Sequence, residues 1–405
     1  MSLKGKNILV GISGGIAAYK IPELIRLLRK AGANVKVTTT KNALEFVTSL
    51  TLQTLSGHPV YTDVFAAINE HSTEHISLPD WADLMIIAPA TANILCKLAN
   101  GIADDALTTT FAAMRKPTLI APAMNTHMYD SPATQHAIRT LTTWKNITML
   151  DCASGELACG TNGKGRMQEI ETIVAAAEYA ITPKTLLGKH ILITAGPTHE
   201  AIDPVRYITN ASTGKMGYAI AKACLKRGAD VTLVSGPCQV SMHHWQNFAP
   251  IQIIPVTSAK EMCEATTLSF QQADISILCA AVADFTPTHT AEQKIKKQAG
   301  QTGLSVDMTC TTDIAATLGI LKRPNQLLIG FALETHNELA NASRKLQTKN
   351  LDMIVLNSLQ DAGAGFGTDT NKVSFLFPNG TQKNLPLISK EEVADEIINQ
   401  ICFIL

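Results

Sequence analysis

The feature that most constrains this chain is that its order of elements is written twice. The opening Leu3-Lys4-Gly5-Lys6-Asn7-Ile8-Leu9-Val10 returns as Leu187-Gly188-Lys189-His190-Ile191-Leu192-Ile193, and each run leads into a glycine-rich turn. Leu28-Arg29-Lys30-Ala31-Gly32-Ala33-Asn34-Val35 is echoed by Leu225-Lys226-Arg227-Gly228-Ala229-Asp230-Val231, a helix end with its glycine stop followed by a β-branched strand. Ala82-Asp83-Leu84-Met85-Ile86 against Ala273-Asp274-Ile275-Ser276-Ile277, and Leu119-Ile120 against Leu327-Leu328-Ile329, continue in the same order. Unbroken apolar strands alternating with helices are the pattern of parallel sheets covered on both faces. The expected fold is therefore α/β, two doubly wound Rossmann-like domains with mainly parallel sheets. Their expected spans are residues 1–181 and 186–405, joined near Thr182-Pro183-Lys184-Thr185.

A length of 405 residues suits two such domains. The 34 basic side chains are matched by 34 acidic ones, so the chain has no net field to hold nucleic acid or an acidic membrane surface. No run of 18 apolar residues is present, and the apolar N-terminal stretch is broken by glycine and reads as a first strand with its turn. Nine cysteines without a CxxC pair fit reduced thiols in a cytoplasm better than disulfides or a structural zinc.

Ligands of doubly wound sheets sit beyond the carboxyl ends of the strands. In the first half those positions are Gly11, Ser13 and Gly14, then Thr38 and Thr40, then Pro89, Ala90 and Thr91, then Pro122-Ala123-Met124-Asn125. Backbone amides and a hydroxyl where a helix begins suit a phosphate, although a plain tight turn reads equally well from a glycine cluster alone. Pro22 is expected to kink the helix that follows. The absence of GxGxxG and of an acidic residue after Val35-Lys36-Val37 disfavours NAD and favours a mononucleotide such as FMN. His75 precedes the third strand and taken alone reads as structural or exposed. Cys159 lies in a four-glycine stretch, expected not to form a buried element, as either an oxidation hazard or a proton donor on a lid. In the second half Lys294, Lys296 and Lys297 form a compact basic run, and Lys345 and Lys349 share a helix face. Such a run on its own reads as a solvated face; joining a carboxylate to an amine would use it to cover triphosphate charge. No GxxxxGK[ST] is present, so the chain is not a P-loop ATPase.

Taken together, Ser13-Gly14-Gly15-Ile16-Ala17-Ala18-Tyr19-Lys20, His75-Ile76-Ser77-Leu78, Pro122 to Tyr129 and Ala158-Cys159-Gly160 resemble the phosphopantothenoylcysteine decarboxylase family of FMN flavoproteins. Gly196, Asp203 to Asn210, Ser212 to Gly217, Ala280 to Asp284 and Lys294-Ile295-Lys296-Lys297 resemble phosphopantothenate–cysteine ligases. The likeness spans nearly the whole chain and is that of a fusion of the two families. It implies CTP-dependent condensation of 4′-phosphopantothenate with cysteine through an acyl-cytidylate, then FMN-dependent decarboxylation to 4′-phosphopantetheine. By the same likeness His75 is the base, Asn125 the carboxylate anchor and Cys159 the proton donor, with Met128 and Arg206 on substrate. Lys294 matches the acyl-cytidylate step and Asn210 the conversion of that intermediate. Gly196, Leu278, Cys279, Ala280, Asp284, Asp313, Ile314, Phe331, Lys345 and Lys349 match nucleotide positions, and Asp284 is the acidic candidate for Mg²⁺. Thr311 and Thr312 stand where the family's Asn-Pro is expected, which leaves that loop's contacts open. Both families imply oligomers, trimers for the flavin part and dimers for the ligase part, from which a dodecamer can be built. Activity of one half only, a flavin domain serving as a binding module, and an NAD dehydrogenase are the competing readings. The glycine-rich stretch from Gly363 to Thr370 is either a loop ordered at a subunit contact or a surface loop.

Overall fold

The computed structural model describes residues 3–65, 73–156, 160, 162–297, 299, 301–334, 336–358 and 367–405. Cys159 and residues 363–366 lie outside the described residues. The chain forms two compact units, Met1–Thr182 with His243–Phe248, and Pro183–Met242 with Ala249–Leu405.

In the first unit the strands are β1 (Asn7–Ile12), β2 (Asn34–Thr39), β3 (Val60–Tyr61), β4 (Leu84–Ala90), β5 (Thr118–Pro122), β6 (Ile147–Met149), β7 (Ala153–Glu156) and β8 (Asn162–Arg166). The helices are α1 (Ile21–Lys30), α2 (Ser49–Ser56), α3 (Glu74–Trp81), α4 (Ala92–Ala99), α5 (Ala106–Ala112), α6 (Thr126–Asp130), α7 (Pro132–Thr142) and α8 (Ile170–Ile181). Among the described residues six strands pair in parallel in the order β3-β2-β1-β4-β5-β6. The order reverses between β1 and β4, the crevice where such sheets bind ligands. Every residue of β4 is buried because both its faces carry helices. Each such Ile or Leu contributes about 1.5–3 kcal/mol by leaving water. Pro22 makes no kink: a 3₁₀ turn at Ile16–Lys20 comes first, and Pro22 falls in the first turn of α1, where a missing N–H costs nothing. The segment His243–Phe248, remote in sequence, belongs to this unit: Phe248 meets Tyr179 edge to face at 5.8 Å, and His244 Nδ1 lies 3.0 Å from the Thr172 hydroxyl.

The second unit contains β9 (His190–Ala195), β10 (His199–Ala201), β11 (Tyr207–Thr209), β12 (Asp230–Ser235), β13 (Ile251–Pro255), β14 (Ile275–Leu278), β15 (Phe285–Pro287), β16 (Met308–Cys310), β17 (Leu327–Glu334), β18 (Met353–Ser358), β19 (Thr370–Asn371), β20 (Val373–Leu376), β21 (Gln382–Asn384) and β22 (Ile388–Ser389). Its helices are α9 (Lys215–Lys226), α11 (Ala259–Phe270), α12 (Ile314–Leu321), α13 (Glu338–Thr348) and α14 (Lys390–Ile404), with α10 (His243–Gln246) counted in the first unit. Its main sheet runs β13-β12-β9-β14-β17-β18-β20-β21, parallel as far as β18 and antiparallel beyond it. The echoed sequences thus occupy equivalent places: β1 and β9 are both central, flanked by β2 and β12 on one side and β4 and β14 on the other. Capping boxes start α11 (Ser258 with Glu261) and α14 (Ser389 with Glu392). No helix among the described residues is long and apolar enough to cross a membrane.

Candidate functional site

The carboxyl ends of β1, β2, β4 and β5 open into a cavity of about 1370 Å³. Ser13, Gly14, Thr40, Thr91, Asn125 and Met128 all line it. Ser13 ties two of the turns together, its hydroxyl donating to the Pro89 carbonyl at 2.7 Å and accepting the Thr91 amide at 3.1 Å. Thr91 in turn caps α4 by accepting the Ile94 amide at 3.4 Å. Position 14 admits only glycine, since a Cβ there would lie 2.5 Å from that of Asn42. Gly11 sits behind the cavity wall, where a Cβ would meet Leu107 at 2.4 Å. Thr38, Pro89 and Ala90 are likewise strand residues that support the wall without lining it.

One polar atom here has no internal explanation. The Thr40 hydroxyl is buried and has no hydrogen-bond partner among the described residues. It stands beside the Ser13-Gly14-Gly15 turn, so a hydroxyl and glycine-loop amides face one cavity, the donor set that a flavin phosphate fits. Cations missed in the sequence lie on the same wall: Lys20, 3.8 Å from Glu169; Lys41; and Arg166, 3.1 Å from Glu169. Lys20 closes the helical-turn motif already noted, whereas Lys41 and Arg166 carry no pattern of their own.

Asn125 lies in the turn after β5 and caps α6, its Oδ1 accepting the His127 amide at 2.8 Å. The cap orients the amide so that any donation to a ligand comes from Nδ2. The four-glycine stretch is partly a two-stranded antiparallel hairpin, β7 with β8, packed on this turn. Gly165, at φ +150°, would place a Cβ 2.3 Å from the Met124 carbonyl oxygen, and Gly163 would place one 2.4 Å from the Thr126 hydroxyl. The glycines therefore permit close backbone docking, and Met124 N–H donates to Gly165 O at 2.9 Å. Lys164 of the hairpin reaches Asp151 at 2.9 Å, and Tyr129 donates to the same carboxylate at 3.1 Å. His75 is not brought to the cavity with Asn125. It occupies the first turn of α3, with Nδ1 buried and lacking a partner among the described residues.

In the second unit, β14, β17, β18 and the start of α9 enclose a smaller cavity of about 170 Å³. Cys279, Ala280 and Phe331 of the expected nucleotide set line it, together with the Ser212–Gly217 turn. Gly214, at φ +77°, is the N-cap of α9. Lys215, Lys390, Asn357 and Asn371 also line this cavity, and the sequence pointed to none of them singly. Burial pushes the Cys279 thiol up to about 12, with Lys390 opposing, so it is an inert neutral wall. Gly196, at φ +80°, holds the neighbouring loop by accepting the Ala281 amide at 2.9 Å.

The residues expected to act on substrate are pinned around one carboxylate. Asp203 is fully buried, accepts from Arg206 Nη2 at 2.5 Å and from the Ile295 amide at 3.1 Å, and Arg206 also donates to the Ile295 carbonyl at 2.6 Å. Burial pushes the Asp203 carboxyl up, but the amides of Val205, Ile295 and Arg206 and the guanidinium outweigh it and hold it well below the usual range. The exposed Lys294 is thereby fixed beside Arg206 through its chain neighbour. Asn210 donates from Nδ2 to the carbonyls of Ala281 at 3.1 Å and Val282 at 3.0 Å, bracing the loop after β14. Lys345 and Lys349 are already paired, with Glu334 at 2.7 Å and Asp313 at 2.8 Å. Asp313 caps α12, which begins at Ile314, by accepting the Ala316 amide at 3.0 Å. Leu278 ends β14, and Asp284 follows it with its carbonyl accepting the Thr311 amide at 2.9 Å. No cluster of three metal-ligating side chains occurs among the described residues, so Asp284 has no preformed companions.

Fold and site define a two-unit α/β protein with a crevice at the carboxyl ends of the strands in each unit. The model for "Flavoprotein" matches residues 1–181, and that for the "DNA/pantothenate metabolism flavoprotein C-terminal domain" matches residues 186–404. The chain is 50% identical over 402 residues to the coenzyme A biosynthesis bifunctional protein CoaBC of Bacillus subtilis, covering 98% of this chain and 97% of that one. It is 44% identical over 403 residues to the protein of the same name from Escherichia coli, covering 99% and 98%. A cysteine/cysteine sulfinic acid decarboxylase from an unknown prokaryotic organism is 47% identical over 360 residues, covering 88% of this chain and 98% of that one. The chain belongs to the family of bifunctional coenzyme A biosynthesis proteins.

Proposed function

We propose that the chain catalyses two consecutive steps of coenzyme A biosynthesis. The second unit acts as a carbon–nitrogen ligase, joining cysteine to 4′-phosphopantothenate through an acyl-cytidylate made from CTP with Mg²⁺. The first unit acts as a carboxy-lyase, converting phosphopantothenoylcysteine to 4′-phosphopantetheine with FMN. The observation that carries the reading is the first-unit cavity, about 1370 Å³ with an unpartnered hydroxyl at its phosphate end. Pockets for drug-sized ligands run about 300–1,000 Å³, so this one has room for a flavin and a phosphopantothenoyl chain together, more than free cysteine needs.

FMN, when bound, would supply reversible oxidation of the cysteinyl thiol, which provides a sink for the electron pair that the departing CO₂ leaves behind. Ser13, Gly14 and Thr40 hold its phosphate. Asn125 offers a neutral N–H to the substrate carboxylate, orienting it without the strong charge pairing that would oppose its loss. His75 takes the roles of base and Cys159 of proton donor by family likeness. In the second unit the α9 turn faces phosphates, Asp203 and Arg206 fix the Lys294 segment, and Asn210 braces the loop that follows β14.

Large apolar side chains exposed at the cavity, Ile16 at 57% and Tyr19 at 61%, support self-association of the first unit, and with it the trimer-and-dimer dodecamer. The balanced charge and the reduced thiols support a cytoplasmic setting without nucleic-acid or membrane partners. Incubation with 4′-phosphopantothenate, cysteine, CTP, Mg²⁺ and FMN tests both halves by mass spectrometry. CMP with 4′-phosphopantetheine is expected; neither product would overturn the reading, and phosphopantothenoylcysteine alone would confine activity to the second unit.

A further inference from the structure

Asn125 and Met128, which line the first-unit cavity, belong to the cap and body of α6, a helix of only five residues. A helix that short has no stability of its own, so the aim of its cap is set by what holds it from outside. Two holds act on the backbone: Gln135 Nε2 donates to the Tyr129 carbonyl at 2.8 Å, and the Met124 amide donates to Gly165 O at 2.9 Å. The third converges on the Tyr129 side chain. Its ring is buried, its amide donates to the Asn125 carbonyl at 2.9 Å, and its hydroxyl donates to Asp151 Oδ1 at 3.1 Å. The same Oδ1 accepts from Lys164 Nζ at 2.9 Å, and that ammonium stands 5.2 Å from the centre of the Tyr129 ring. One carboxylate oxygen thus joins the Asn125 turn to strand β8. Burial raises the Tyr129 hydroxyl above its ordinary value, and the hydrogen bond to Asp151 raises the Lys164 ammonium, so near neutral pH the first stays protonated and the second charged. The Asp151 and Lys164 side chains are 65% and 39% exposed, and an exposed pair of this kind adds little to stability.

We propose that Tyr129, Asp151 and Lys164 form the positioning set that aims the Asn125 amide at the substrate carboxylate, which rests on the decarboxylase reading above. None of the three lines the cavity, so they act through Asn125 and not on the reacting atoms. Removing the hydroxyl or the cation leaves the five-residue turn held at its backbone alone. The Asn125 N–H group then drifts from the carboxylate, and a misplacement of about 1 Å is enough to cost much of an orientation effect. In the same reading the flavin phosphate is held at other strand ends, by Ser13, Gly14 and Thr40, beyond the reach of this set. The product, 4′-phosphopantetheine, keeps the chain of the substrate but lacks the carboxylate, so its binding does not depend on where Asn125 points.

The experiment reads three quantities on the full chain: kcat/KM for phosphopantothenoylcysteine, Ki for 4′-phosphopantetheine as a product inhibitor, and the flavin Kd by fluorescence. Y129F and K164M are each expected to lower kcat/KM about tenfold or more. Ki and the flavin Kd should stay within about twofold of the native values in both. K164R, which keeps the charge and the donor, should retain most of the native kcat/KM. Should Y129F fail to fold, K164M carries the same test from a half-exposed position. Native kcat/KM in K164M overturns the proposal. So does a loss in kcat/KM matched by an equal weakening of the product or of the flavin, because a merely structural defect moves them together. Formation of 4′-phosphopantetheine from phosphopantothenoylcysteine by the native protein checks the decarboxylase reading separately: its absence sinks that reading and the proposal with it, and its presence leaves the variants to decide the role of the set.

Discussion

Replacing Thr40 by Val separates ligand binding from folding, because the two effects have opposite signs. The Thr40 hydroxyl is buried without a partner among the described residues, so removing it from the ligand-free protein deletes an unsatisfied polar group at nearly constant shape. An unsatisfied buried group costs about 1–3 kcal/mol, so the ligand-free variant should be at least as stable as the native chain. If the hydroxyl donates to a flavin phosphate, the same change loses a hydrogen bond to a charged group, about 1.5–3 kcal/mol, or roughly 10- to 150-fold in Kd. Thr38 supplies the control. Its hydroxyl is also buried and unpartnered, but it lies behind the wall, so T38V should leave the Kd within about twofold. Flavin fluorescence titration reads the affinities, and thermal unfolding of the flavin-free proteins reads the stabilities. Equal Kd values for native and T40V proteins, or a larger loss in T38V, would refute the placement of the phosphate.

G165A should disorder the β7–β8 hairpin and lower activity of the first unit, because a Cβ 2.3 Å from the Met124 carbonyl oxygen cannot be accommodated by side-chain movement; protease nicking between residues 150 and 168 would report it. Asp313→Ala should cost about 1 kcal/mol through the lost α12 cap, read as a shift in denaturant midpoint. Burial lowers the Lys184 ammonium to about 8, so between pH 8 and its unfolded value near 10.5 the unfolded chain holds more protons and stability from this group rises with pH. The difference in midpoint between native protein and K184M should therefore move in the native protein's favour across that window, and a flat difference would contradict the assignment.

The fold was legible because its strands are uninterrupted apolar runs with a repeated order, and burial on both faces leaves such runs no other use. Pro22 was read as a kink since a continuous amphipathic pattern hides the 3₁₀ turn before it. The glycine-rich stretch was read as no buried element, and β7 and β8 are largely exposed; what composition cannot show is that Gly165 admits the backbone of Met124. His243–Phe248 had no local signal, since its membership of the first unit depends on Tyr179 and Thr172. In the site, loop residues at strand ends were found by topology. Lys390 was not, because its only local pattern, Ser389 with Glu392, announces a helix start and nothing about a cavity.

The two crevices share a fold yet carry charge differently, and the difference suits what each would hold. Around the first, glycine amides and an unpartnered threonine hydroxyl stand at the phosphate end on a wall that also carries Lys41, and Lys20 and Arg166 share Glu169. The Thr40 hydroxyl gains a full hydrogen bond when an anion arrives and loses one when it leaves, which favours a resident cofactor. The lysines expected at the second unit's nucleotide are already satisfied, Lys345 by Glu334 and Lys349 by Asp313. A triphosphate there would replace one anionic partner by another, so the net gain is smaller than the bare attraction. Glu334 and Asp313 would recapture the lysines as pyrophosphate and CMP depart. Removing those carboxylates should therefore tighten product binding and slow release, the opposite of what deleting a residue from a simple binding site does.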